Sequence, residues 1–207
     1  MEVAGLILAG GLSRRMGGGD KGLTTVGGHS LLERVVTRLT PQVGPLLLSA
    51  NGDPARFRSF GLPVAADVVE NQAGPLVGIL TGLEWFAARH PEIEWMVSAA
   101  ADTPLLPTDL VERLLAAATA TGADIAMPRS GGHAHPVFAL WPLRLAAALR
   151  RAVVNDGQRG VGAWAGRHRV ATVDWPVIPN DPFFNVNTPE DLAELPRILA
   201  TSPACDG

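Results

Sequence analysis

Leu8-Ala9-Gly10-Gly11-Leu12-Ser13-Arg14-Arg15-Met16-Gly17-Gly18-Gly19-Asp20-Lys21 crowds glycine, arginine and lysine directly behind an apolar run. That run, Val3 to Ala9, is short, rich in Val, Ile and Leu, and stops at a double glycine, the pattern of a buried strand entering a tight loop. Glycine lets the backbone approach a ligand with no Cβ in the way. Successive N–H groups in such a loop form an anion-binding concavity, to which Arg14, Arg15 and Lys21 add positive charge. The guest this predicts is a nucleoside triphosphate.

Two familiar glycine motifs do not account for the loop. Lys21 follows Asp20 and precedes Gly22, so the G-x-x-x-x-G-K-[ST] phosphate loop is absent here. Gly17-x-Gly19-x-x-Gly22 matches the dinucleotide pattern, but the strand ends near Ala9 and the next helix starts only at Ser30. The dinucleotide fingerprint needs its first glycine right after the strand and its last opening the helix. The match therefore reads as chance in a glycine-rich loop, and an NAD-binding oxidoreductase built on it is a rival that a dinucleotide titration would expose.

Working outward, Ser30-Leu31-Leu32-Glu33 is a capping box opening a helix that Pro41 stops. Strands are predicted over Pro45 to Ser49, Leu62 to Ala66, Trp95 to Ala99, Asp124 to Met127, Val137 to Trp141 and Arg169 to Asp174. Helices are predicted from Pro75, over Asp109 to Ala120, over Leu143 to Val154, and after Thr188-Pro189. This alternation implies an α/β fold, a single domain with a mostly parallel, doubly wound sheet and helices on both faces. Ligands of such sheets bind beyond the carboxyl ends of strands. Gly10, Asn51, Asp67 and Asp102 each follow a predicted strand end, so they should line one crevice.

The full set of motifs resembles the molybdenum cofactor guanylyltransferases, the MobA family of nucleotidyltransferases, whose opening pattern is L-A-G-G-x-x-x-R-M-G-x-x-K. Further matches follow in order: Gly74-Pro75-Leu76, Asp102-Thr103-Pro104, His135-Pro136-Val137-Phe138, and Phe184-Asn185-Val186-Asn187-Thr188-Pro189-Glu190-Asp191-Leu192. The resemblance implies a Rossmann-like nucleotidyltransferase domain over residues 1–200, and the polar stretch 201–207 reads as a frayed tail. It implies transfer of GMP from Mg-GTP to the terminal phosphate of molybdenum-bound molybdopterin. It also implies transient contact with the cofactor-insertion enzymes or apo-molybdoenzymes that receive the product. By the same resemblance, Leu8, Ala9, Gly10, Gly11, Lys21, Asn51, Asp67 and Asp102 bind GTP. Arg15, Lys21 and Asp102 carry catalysis, Asp102 holds Mg²⁺, and Gly78, His135, Asn185 and Asn187 contact the pterin.

The residue chemistry agrees with these roles while leaving alternatives open. Mg²⁺ needs only one or two carboxylates besides substrate phosphates, which Asp102 can supply, although an aspartate there could also cap a turn. Lys21 and Arg15 would neutralise the triphosphate and the departing pyrophosphate, so the chain needs no nucleophile of its own. Arg14 could be a plain surface charge. Asp67 could accept from guanine N1–H and N2–H, but Asn51-Gly52 is also an ordinary turn and Asp67 an ordinary loop acid. Asn185 and Asn187 alternate about one residue, so their side chains face the same way, unless they are turn formers. His135 is expected to hydrogen-bond the cofactor or its own loop, and His133 with His135 makes a weak metal pair.

L-A-G-G and G-P-L are the guanylyl forms, where related cytidylyl enzymes tend to carry L-A-A-G and T-P-L. A cytidylyltransferase or sugar-phosphate nucleotidyltransferase remains the nearest rival, and a silent GTP-binding partner in molybdoenzyme assembly a more distant one. The chain departs from the family at Ala99-Ala100-Ala101, where a cysteine often precedes the metal aspartate, and over Asn155 to Arg167, where Arg159 is a candidate for reaching the cofactor.

Composition narrows the function classes. A formal net charge of -3 with 18% charged residues disfavours nucleic-acid binding through a basic surface. The apolar N-terminal run is too short for a signal peptide or membrane span, which predicts a cytoplasmic protein. The single cysteine, Cys205, offers no disulfide framework.

Overall fold

The computed structural model describes residues 1–10, 20–69 and 74–201. Gly11, Arg14, Arg15, most of the dinucleotide-like glycine pattern and Cys205 lie outside the described residues. In chain order the elements are β1 (Val3–Leu8), β2 (Thr25–Val26), β3 (His29–Ser30), α1 (Leu31–Leu39), β4 (Leu46–Ser49), β5 (Val64–Ala65), α2 (Pro75–Arg89), β6 (Trp95–Ala100) and α3 (Leu110–Thr121). They continue with β7 (Ile125–Ser130), β8 (His133–Ala134), β9 (Leu140–Pro142), α4 (Ala146–Val154), α5 (Val161–Ala165), β10 (Val170–Trp175) and α6 (Pro189–Thr201). The main sheet runs β10-β7-β9-β6-β1-β4-β5, with β8 appended to β7.

The β1, β4, β5 and β6 pairings are parallel, as is β7 with β10. The predicted mostly parallel sheet is present, with one reversal: β9 is antiparallel to both β6 and β7. A parallel return needs a crossover of a dozen or more residues, and the segment 131–139 between β7 and β9 is too short for one. The chain therefore doubles back, and the strand expected over Val137 to Trp141 splits. Pro136–Phe138 forms a 3-10 turn with proline in its first turn, and only Leu140–Pro142 joins the sheet. The loop expected over Ser130 to His135 is a tight hairpin, Arg129 and Ser130 pairing with Ala134 and His133. The helix expected from Leu143 begins as a 3-10 turn over Leu143–Leu145. Thr201, assigned to the tail by sequence, ends α6, where Asn180 Nδ2 donates to its hydroxyl at 3.0 Å.

Two apolar layers sandwich the sheet. On one side Leu32, Val35 and Leu39 of α1 and Leu110, Val111 and Leu114 of α3 pack with Ile7, Leu48 and Val97. On the other, Ile79, Leu80, Leu83 and Phe86 of α2 and Leu149 and Val153 of α4 pack with Leu6, Leu47 and Met96. The capping box is formed as read: Ser30 Oγ accepts from Glu33 N at 3.1 Å, and Ser30 N donates to Glu33 Oε2 at 3.3 Å. Trp141, Trp164 and Trp175 are core residues rather than a stacking platform.

Helix α2 lies unusually close to β1 because it carries glycine at 78 and 82. A Cβ on Gly82 would stand 2.7 Å from Leu6 Cδ2 and 2.8 Å from Met96 Sδ, both fully buried. Glycine to alanine inside a helix ordinarily gains roughly 0.5–1 kcal/mol. Here overpacking of about 1–3 kcal/mol should outweigh that gain. Gly82→Ala is expected to lower the urea unfolding midpoint, and a raised midpoint would refute the close-packing argument.

Candidate active site

The strand ends singled out in the sequence converge. Gly10 follows β1, Asn51 follows β4, Asp67 follows β5 and Asp102 follows β6. Together with Leu8, Ala9, Lys21, Gly78 and Asn185 they line one open cleft of about 240 Å³. Parallel strands place it at their carboxyl edge, where the crossovers to helices leave a crevice.

Asp102 is held on both sides by backbone bonds: Ala101 N donates to Leu8 O at 3.1 Å, and Val186 N donates to Asp102 O at 3.0 Å. Its carboxylate accepts from Lys21 Nζ at 2.6 Å, with only 21% of the Asp102 side chain and 13% of the Lys21 side chain exposed. Lys21 Nζ also donates to Asn187 Oδ1 at 2.6 Å. In the amide orientation that meets its neighbours' acceptors, Asn185 donates to the other Asp102 oxygen and to Asp102 O at 3.3 Å. Asn185 and Asn187 thus face the same pair of charges, as their alternation about Val186 predicts. No strand forms there. Val186 is fully buried with Val26, Leu31 and Leu195, and this anchoring leaves Asn185 lining the cleft and Asn187 against Lys21.

The helix that follows fixes the loop. Thr188 Oγ1 accepts from Asp191 N at 3.2 Å, while the Asp191 carboxylate accepts from Asn187 N at 2.7 Å and Thr188 N at 2.8 Å. Burial pushes the Asp191 carboxyl up, but those bonds and the charge of Lys21 hold it below the usual range.

At the other end of the cleft Asn51 and Asp67 are locked reciprocally. Asn51 Nδ2 donates to Asp67 Oδ2 at 2.7 Å, and Asp67 N donates to Asn51 Oδ1 at 2.9 Å. Asp67 lines the cleft, and its Oδ1 has no hydrogen-bond partner among the described residues. Gly22 also belongs to the cleft, and a Cβ there would stand 3.1 Å from Ala101 Cβ, so glycine lets the Lys21 turn press against the Asp102 loop.

Two residues take more structural parts than the sequence suggested. The backbone of Gly78 lines the cleft, but a Cβ there would meet Leu8 Cδ2 at 2.5 Å and Ser49 Oγ at 3.1 Å, so its lack of a side chain serves helix packing. His135 does not line the cleft. Its Nε2 lies 2.6 Å from Ser130 Oγ, which donates to Asp181 Oδ1 at 2.8 Å, and the ring stacks on Phe183 with centroids 4.6 Å apart. Of the two bonds expected for His135, the one to its own loop is formed. Burial pushes this imidazole below the ordinary histidine range, only partly offset by Asp181, so the ring is neutral at neutral pH. Arg159 is likewise turned away, donating to Val153 O at 3.2 Å and Gln158 O at 2.9 Å.

Sequence reasoning missed Ser130 and Asp181, which stand 51 positions apart with no local motif, and Arg56, which bridges Asp20 to Asn51. Among the described residues no group of three or more His, Cys, Asp or Glu could hold a metal alone. That donor set suits a hard cation bound by one carboxylate, phosphate oxygens and water, and it does not suit a cation that needs a protein cage. Asp102, with one carboxylate at the cleft floor, fits the first case.

The family described as MobA-like NTP transferase domain matches residues 5–173, from within β1 through most of β10. The chain belongs to the MobA-like NTP transferase family. Within it, the chain is 57% identical over 198 residues to a protein named molybdenum cofactor guanylyltransferase from Bradyrhizobium sp. (strain ORS 278), covering 96% of this chain and 93% of that one. It is 58% identical over 193 residues to a protein of the same name from Rhodopseudomonas palustris (strain BisB5), covering 93% and 92%. The fold of the family is seen again in molybdopterin-guanine dinucleotide biosynthesis protein A from Archaeoglobus fulgidus, with a TM-score of 0.74, 24% identity, and 96% and 99% of the two chains covered. Among the described residues no helix is long and apolar enough to cross a membrane.

Proposed function

We propose that this chain transfers GMP from GTP to the terminal phosphate of molybdenum-bound molybdopterin, forming molybdopterin guanine dinucleotide and pyrophosphate. The observation that carries this reading is the meeting, in one cleft, of a Lys21–Asp102 ion pair with an Asn51–Asp67 pair that offers a carboxylate oxygen to a base. Guanine presents N1–H and N2–H side by side to the two oxygens of a carboxylate, and cytosine has no such pair of donors, so the Asp67 carboxylate, taken with both oxygens, favours guanine.

The triphosphate is taken by the cleft at Leu8, Ala9 and Gly10, and the same task falls in this reading to Gly11 and Arg15, which lie outside the described residues. Lys21 exchanges its carboxylate for phosphate oxygens, neutralising charge on the α- to γ-phosphates and on the leaving pyrophosphate. A phosphate oxygen of the pterin substrate forms a bond to the α-phosphorus as the bond to the β-phosphate oxygen breaks. No side-chain nucleophile takes part. A divalent cation, Mg²⁺ in this reading, would be held by Asp102 and would supply charge neutralisation on the phosphates. Asn185 and Asn187 hold Asp102 and Lys21 in register and offer amide groups to the pterin phosphate, while Gly78 leaves backbone open beside it. This reading places the chain in the cytoplasm, and the labile product would pass through transient contact with the protein that receives it.

Pyrophosphate release, measured with GTP and separately with CTP in the presence of Mg²⁺ and molybdenum-bound molybdopterin, tests the reading. Acceptor-dependent release with GTP alone is expected. Release with CTP instead would overturn the base assignment, and binding of GTP without release would turn the chain into a silent partner.

A further inference from the structure

Arg56 lies between the two halves of the cleft and belongs to neither. It stands in the 3-10 segment Pro54–Phe60, whose first turn is capped by Asp53 and whose Phe57 is 1% exposed. Its guanidinium lies over the Phe57 ring, 4.7 Å from the centroid, so a buried aromatic sets its height. From there Nη2 donates to Asn51 O at 2.5 Å and Nη1 to Asp53 O at 2.9 Å, while Nε faces the Asp20 carboxylate in an ion pair. The last contact is charge to charge, not an aligned hydrogen bond. Gly52 makes room for it: its φ is +85°, and a Cβ there would stand 3.0 Å from Arg56 Nη1.

Asp20 is the residue before Lys21, and Asn51 is locked to Asp67. The contacts Asp20–Arg56–Asn51–Asp67 therefore form a continuous chain from the phosphate-binding lysine to the base-reading carboxylate. The Asp20 side chain is 17% exposed and that of Arg56 26%, so the pair is partly withdrawn from water, where a charge pair is stronger than on the open surface. A planar guanidinium can hold the Asn51 and Asp53 carbonyls in fixed directions while its charge faces Asp20, and an ammonium cannot.

We propose that Arg56 is a positioning residue that couples base recognition to the seat of Lys21, so that the correct base improves the grip on the triphosphate. This rests on the nucleotidyltransferase reading above. It predicts that breaking the chain harms the preferred nucleotide more than a poorly matched one, because only the preferred base engages Asp67. A purely structural part would harm both alike.

The test compares kcat/KM for GTP and for CTP in the intact chain, Arg56→Met, Arg56→Lys and Asp20→Asn, with urea midpoints measured in parallel. Arg56→Met is expected to lower the GTP value roughly 10- to 100-fold, the span of one hydrogen bond to a charged group, and to shrink the GTP-to-CTP ratio about as much. Arg56→Lys should fail to restore the ratio. Asp20→Asn breaks the same chain at its other end without touching the Phe57 segment, so it keeps the test open if Arg56→Met does not fold. The two losses should be less than additive in the double variant, as for residues in one network. Equal losses for both nucleotides, an unchanged ratio, or full additivity would overturn the coupling. A wild-type preference for CTP would instead fail the guanylyl reading, and the change in ratio on substitution would still decide the part played by Arg56.

Discussion

Asp102→Ala is expected to lower nucleotidyl transfer by on the order of 10³-fold while leaving the fold intact, the scale at which loss of one preorganised electrostatic group is felt in a charged transition state. The carboxylate stands at the floor of the cleft, at the end of a strand whose packing does not depend on it: Ala99 and Ala101 beside it are buried and unchanged by the substitution. Removing it releases Lys21 from its 2.6 Å contact, but Lys21 keeps Asn187 Oδ1 as an acceptor at 2.6 Å, so no buried charge is orphaned. GTP binding measured without any divalent cation should therefore hold or tighten, since a negative charge has been taken from beside a polyanion. Turnover should collapse because the group that would hold the cation is gone. Full activity in the variant would remove Asp102 from the mechanism, and loss of metal-free GTP binding together with activity would show that its part is to shape the cleft.

Trp141→Ala should cost about 3–5 kcal/mol of stability, the usual range for deleting a fully buried large aromatic. Trp141 is 0% exposed on β9, the strand whose reversal closes the middle of the sheet. Its Nε1 donates to Ser98 Oγ at 2.8 Å, and Ser98 Oγ donates to Val137 O at 2.6 Å, so one indole ties β9 to β6 as well as filling the layer beside Trp164, 5.8 Å away. Trp141→Phe keeps most of the volume and loses the bond, and about 1 kcal/mol of its cost is that hydrogen bond. Urea denaturation followed by far-ultraviolet circular dichroism separates the two variants. If the alanine variant loses less than the phenylalanine variant, the packing argument fails.

The local parts of this molecule were legible. The apolar run Val3 to Ala9, the Ser30 capping box, the proline opening α2 and the Thr188-Pro189 start of α6 are short-range signals, written in residues close enough to touch within one turn. Four of the strand ends that they delimit carry Gly10, Asn51, Asp67 and Asp102, so even the existence of a crevice followed from alternation alone. The antiparallel β9 was less plain, because its signal is the shortness of 131–139 rather than any motif, and the run Val137 to Trp141 reads as one strand until Pro136 is given its weight. The small β2–β3 hairpin went unread because two-residue strands have no periodicity to detect.

The sequence by itself determined the fold class and the strand-end residues, since each depends on backbone preferences and burial patterns spanning a few neighbours. Only the tertiary structure decided which of these groups face one another. Lys21 meets Asp102 across 81 positions and Asn187 across 166, His135 meets Ser130, and Arg56 joins the two ends of the cleft. Such pairings arise when the sheet brings strand ends together, and neither composition nor spacing carries that geometry.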